Sequence, residues 1–108
     1  MSLASMIIFS FIISTVVAYL GILMIPKMFG TNINKILGTF FIIAAFIVQC
    51  SIEGDVFYAF GYVIPLIVGA YIATGIKKDF LISKITKHTE WNYALIANGL
   101  MGIILSFV

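Results

Sequence analysis

The sequence predicts an all-α integral membrane protein, a single bundle of four transmembrane helices running up and down with both termini outside. Three observations carry that expectation. Hydrophobic residues make up 63% of the 108 residues and charged ones 9%, against roughly 45–50% and about 25% in soluble domains. A soluble domain of this size buries only about 60–70% of the surface its unfolded chain exposes, so this composition leaves too much apolar area for water. Second, the six lysines and four carboxylates all fall in Lys27–Lys35, Glu53–Asp55 and Lys77–Glu90, leaving 1–26, 36–52, 56–76 and 91–108 free of charge. Third, runs such as Phe40 to Val48 are continuously apolar. A transmembrane β-barrel would instead need polar and apolar residues to alternate over segments of about ten.

Crossing a hydrocarbon core of about 30 Å takes ~20 apolar helical residues, with a range of roughly 17–25. The first span is placed at about 3–25, with Pro26 ending it because proline cannot donate the next helical hydrogen bond. It lacks a basic leader and exceeds the apolar core of a typical signal peptide, about 7–15 residues, so cleavage is not expected. Gly30-Thr31-Asn32 reads as a turn, and the second span covers about 34–51. Ser51 to Asp55 forms a tight hairpin in which Gly54 supplies backbone freedom. The third span covers 56–76, and Pro65 within it removes one backbone bond and is expected to kink the helix. The fourth covers 91–108, with the Trp91 indole at the headgroup boundary. The segment 79–88 has two open readings, an amphipathic interfacial helix or a continuation of the third span.

Basic residues in short loops favour the cytoplasmic side. All six lysines lie in loops one and three, which places 27–35 and 77–90 in the cytoplasm and the 52–55 hairpin outside, in a bacterial cytoplasmic (inner) membrane. A repeat of helical hairpins is also conceivable, since Ala18-Tyr19-Leu20 recurs as Ala70-Tyr71-Ile72 at an offset of 52 residues.

Small residues recur four apart in Gly61, Pro65, Gly69 and Ala73, in Ala94, Asn98, Gly102 and Ser106, and in Ser10, Ser14 and Ala18. Such positions stack on one helix face and let membrane helices approach closely, either within one bundle or between subunits. Asn98 lies near mid-membrane, where an amide needs a partner; it is expected to pack against another helix or to line a polar path together with Pro65, Tyr62 and Tyr71. Gln49, Glu53 and Asp55 beside the outer hairpin form either an acidic vestibule or a solvated turn. Cys50 is the sole cysteine, excluding an internal disulfide, and reads as a packing residue. One histidine, His88, cannot build a zinc site.

The missing chemistry narrows the function further. No span holds an acidic or basic residue in its interior, the usual mark of proton relays and ion-coupled transport. The chain is similar to small multidrug exporters in length and number of spans, but lacks the glutamate in the first helix on which those proteins rely. Lys35-Ile36-Leu37-Gly38, followed by Tyr58-Ala59-Phe60-Gly61 and Gly69-Ala70, resembles small four-helix proteins of the DoxX-like type, and this resemblance transfers no function. No nucleophile–base pair, phosphate loop or paired metal ligands stand out. The expectation is therefore a non-catalytic structural, anchoring or assembly subunit of a homo- or hetero-oligomeric membrane complex. Its partners would be the lipid bilayer and itself or other membrane subunits, with no nucleic acid, metal or cofactor. The alternative is a small oligomeric channel or transporter for a neutral or weakly polar solute.

Overall fold

The computed structural model describes residues 3–30, 33–76 and 87–108. Among them it contains four α-helices and no strand: α1 (Leu3–Phe29), α2 (Leu37–Glu53), α3 (Val56–Ile76) and α4 (Lys87–Ser106). Two stretches, Ile7–Phe29 and Val56–Gly75, are long and apolar enough to cross a membrane; Leu37–Glu53 is apolar but shorter. Of the 79–88 segment, all but its last two residues lie outside the described residues, and those two belong to α4.

The ends of the helices refine the expected spans. Pro26 lies inside α1 and does not end it. Proline forfeits its own N–H but keeps its carbonyl, and Pro26 O accepts the Gly30 N–H at 3.1 Å. Gly30, at φ 79°, then takes the left-handed conformation that closes many helices. Helix α2 starts later than expected because Asn34 holds a turn: its side-chain oxygen accepts the Ile36 N–H at 3.0 Å and its carbonyl accepts the Leu37 N–H at 3.2 Å. At the other end Gly54, φ 69°, caps α2 by donating its N–H to Cys50 O. Asp55 then caps α3, its carboxylate accepting from the Phe57 N–H at 2.9 Å, the usual role of an aspartate at this position. Helix α3 occupies the expected residues and runs through Pro65 without interruption. Helix α4 includes the four residues before Trp91, Lys87 to Glu90.

Packing between helices fixes their order. Both α3 and α4 pack against α1, against α2 and against each other, whereas α1 and α2 make no substantial contact. The helices therefore follow the order α1, α3, α2, α4 around a rhombus whose short diagonal joins α3 to α4. Directions alternate along the chain. Gly38 lies beside Asn92 and Gln49 beside Ser106, so α2 and α4 run parallel. Tyr62 reaches Gly102 while Leu66 meets Asn98, so α3 and α4 run antiparallel.

The core comprises Ala18, Ile22, Ala45, Ala70, Ala73, Tyr93 and Ala94 with their neighbours. Many of these are small, which keeps the helix axes close. Phe46 of α2 and Phe60 of α3 add a tilted ring pair with centroids 4.8 Å apart. Polarity is distributed in the reverse of a water-soluble bundle. Helix α4, the one carrying Glu90, Asn92 and Asn98, is buried or half-buried from Glu90 to Gly99. The outward faces instead carry large apolar side chains, among them Phe9 and Val16 on α1, Phe40 and Ile47 on α2, and Phe60 and Ile64 on α3.

Candidate functional site

Three polar ties secure α4, each built where a backbone group on a neighbouring helix needs or tolerates a partner. At the end nearest the 30–36 connection, Asn92 is buried between α4 and the start of α2. Its side-chain oxygen accepts the Gly38 N–H at 2.8 Å, and its amide nitrogen donates to Asn34 O at 2.8 Å. The first N–H groups of a helix have no partner inside it, and α2 lacks a side-chain cap of its own. Asn92 thus caps α2 from another helix. The fit requires Gly38, since a Cβ there would lie 2.6 Å from Asn92 O and 2.7 Å from the Leu95 side chain.

In the middle, Asn98 is fully buried and donates its amide to Leu66 O on α3 at 2.7 Å. Its oxygen has no hydrogen-bond partner, and neither does the buried Tyr93 hydroxyl. At the far end the Tyr62 hydroxyl donates to Gly102 O at 2.6 Å, and the Ser106 hydroxyl lies 2.9 Å from Gln49 Oε1 and 2.8 Å from Gly102 O. That cluster joins α2, α3 and α4. Interhelical bonds of this kind contribute about 0.6–2 kcal/mol each in membrane proteins.

The small-residue stripes meet neighbouring helices inside this chain. A Cβ on Gly69 would fall 2.7 Å from the Ser14 backbone, so α1 and α3 cross in near backbone contact. Gly102 faces the Leu66 and Ala45 side chains. Gly61 differs, since a Cβ there would meet nothing within 4 Å.

Gly61 opens instead onto a cavity of about 470 Å³ between α1 and α3, shared with Ser10, Ser14, Tyr58, Tyr62 and Pro65. The structure thus brings together Gly61, Tyr62 and Pro65 among the residues considered for a path. Asn98, Gly69 and Gly102 line neither this cavity nor the groove on the opposite side of α4. Tyr71 is 65% exposed on the outside of α3. Of the residues around the 52–55 hairpin, Gln49 is buried against Ser106, Asp55 caps α3, and Glu53 is exposed at the end of α2. Cys50 is half-buried and free. Among the described residues no group of three or more His, Cys, Asp or Glu side chains is placed to hold a metal ion.

Sequence reasoning missed Asn92 and Gly38. Both were visible, but Asn92 adjoins Trp91 and reads as part of a solvated boundary, while Gly38 belongs to no four-residue stripe. A separation of 54 residues hides their pairing. Comparison of the chain with protein-family models, with curated proteins and with solved structures finds no match.

Proposed function

We propose that this chain is a four-span protein of a bacterial cytoplasmic membrane, with both termini and the 52–55 hairpin outside, acting as a non-catalytic structural, anchoring or assembly subunit of an oligomeric complex. The observation that carries this reading is the inverted polarity. The helix richest in polar groups is central, and its amides and hydroxyl are spent on holding α2 and α3. The outward faces carry side chains such as Ile8 at 59% exposure and Phe40 at 56%. Unsatisfied polar groups cost several kcal/mol in hydrocarbon, whereas exposed leucine-like surface costs nothing there. Lipid, or the apolar surface of another membrane subunit, matches the outside of this bundle. The spans of the two shorter apolar segments fit if they stand upright.

The cavity beside Gly61 favours a second reading, a small oligomeric channel or transporter for a neutral or weakly polar solute, because Ser10, Tyr58 and Tyr62 give it some polar lining. Purification of the tagged chain from its own membrane in mild detergent tests the choice. A stoichiometric second membrane protein, or a defined homo-oligomer whose reconstitution gives no solute flux, supports the subunit role. A solute flux from the chain reconstituted alone would overturn it in favour of transport.

A further inference from the structure

Because α1 and α2 stand on opposite corners of the rhombus, a gap remains between them, floored by α4. The resulting groove has a volume of about 720 Å³ and is lined by apolar side chains and Gly21, with no polar side chain among them. Its α1 wall, from Val17 to Phe29, is about 18 Å long at 1.5 Å per residue. The opposite wall is shorter, supplied only by Ile33, Leu37 and Phe41. The groove is therefore walled on both sides only in the half of the bundle next to the 30–36 connection.

That length discriminates between occupants. A spanning helix needs an apolar surface of about 30 Å, whereas a lipid chain occupies one leaflet, about half that depth. Charge at the open end decides the headgroup. Lys27 follows the lining residue Leu20 by seven residues, which puts it beside the groove-lining face of α1, in the last turn of the helix between the lining residues Ile25 and Met28. Lys35 lies between the lining residues Ile33 and Leu37. Both lysines are exposed, and neither is paired with a carboxylate among the described residues. Basic residues beside clefts between membrane helices attract acidic headgroups on the cytoplasmic side.

We propose that the α1–α2 groove seats an acyl chain of an anionic phospholipid whose phosphate is held by Lys27 and Lys35. The site rests on the membrane-spanning arrangement proposed for the chain and adds a ligand class to it. Bound there, the lipid replaces the missing α1–α2 contact, with its chain filling the gap and its headgroup bridging the ends of the two helices.

The test uses the full chain in detergent, stripped of lipid and titrated with phosphatidylglycerol or phosphatidylcholine, with bound lipid counted by native mass spectrometry. Phosphatidylglycerol is expected to bind at least tenfold more tightly. A lysine near the surface is worth about fivefold in binding to acidic lipid, so the K27Q/K35Q double variant should lose roughly thirtyfold. K77Q/K78Q, in the other lysine-bearing loop, should retain the preference. Leu100→Trp, on the exposed floor of the groove, should displace both lipids while thermal unfolding shows the bundle still folded. Equal binding of the two lipids, an equal loss in K77Q/K78Q, or full binding in Leu100→Trp would overturn the site. Alkaline carbonate washing of native membranes separates the two levels. Release of the chain by the wash refutes the spanning arrangement, whereas a retained chain with no phosphatidylglycerol preference refutes only the lipid site.

Discussion

Helices α4 and α1 have contrasting places in the same bundle. Helix α4 carries Asn92, Asn98 and Ser106 and packs against all three other helices. Helix α1 has only hydroxyl-bearing polar side chains in its middle, Ser10, Ser14, Thr15 and Tyr19, and no amide, while its Ile7, Ile8, Phe9, Ile12 and Val16 are 48–59% exposed. In water the reverse would hold, because burial of apolar area drives folding there at about 25 cal/mol per Å². In a bilayer that drive is absent between helices, and association rests on close packing and on partners for polar groups. The contrast is what the proposed bilayer setting calls for: the polar helix lies at the centre, where its amides find partners on neighbouring helices.

The contrast can be broken from the α1 side first, where the largest effect is expected. Val16→Lys places a charge on the exposed face near the middle of the Ile7–Phe29 span. Lysine at the centre of a spanning helix costs about 3 kcal/mol, so membrane insertion measured with a reporter fused to the chain should fall sharply. A water-facing α1 would tolerate the change.

Gly69→Val comes next. Its Cβ would already press on the Ser14 backbone, and backbone cannot rotate away as a side chain can. Overpacking of this kind costs about 1–3 kcal/mol, read as a lower unfolding midpoint in detergent. Asn92→Leu should cost about 2 kcal/mol, because it strands the buried Gly38 N–H as well as removing the bond to Asn34 O. Asn98→Leu is expected to cost less, about 1 kcal/mol or below. The single lost bond ends on a helix carbonyl, and the unpartnered amide oxygen disappears with it. Measured side by side, Asn92→Leu should be the more damaging of the two. The opposite order would mean that the middle of the bundle, not the α2 end, depends on the polar ties.

Much of the fold is legible in the sequence because it follows from charge. Glu53 and Asp55 mark the α2–α3 hairpin, and the uncharged run 56–76 coincides with α3. Local chemistry that competes with charge is harder to read. Pro26 looks like a terminator, yet a proline within the last turn loses only its own donor, and Gly30 ends the helix instead. The ties depend on long-range pairing. Asn98 is conspicuous as an amide in an apolar run, but nothing local marks Leu66 O as its acceptor. Asn92 and Gly38 carry no signal until α2 and α4 are seen to lie parallel, and the order of helices around the bundle is set by such contacts rather than by any segment alone. The α1–α2 groove is equally invisible, since consecutive helices with a short connection are ordinarily neighbours.

Labelling of single cysteines in intact cells tests the membrane-spanning arrangement most directly. In a Cys50→Ala background, Glu53→Cys places a thiol at the exposed end of α2 and Lys35→Cys places one in the opposite connection. A membrane-impermeant thiol reagent is expected to modify the cysteine at position 53 in intact cells and the one at position 35 only after the membrane is broken. Modification of position 35 in intact cells, with position 53 protected, would contradict the orientation; identical behaviour at the two positions would contradict the spanning arrangement itself.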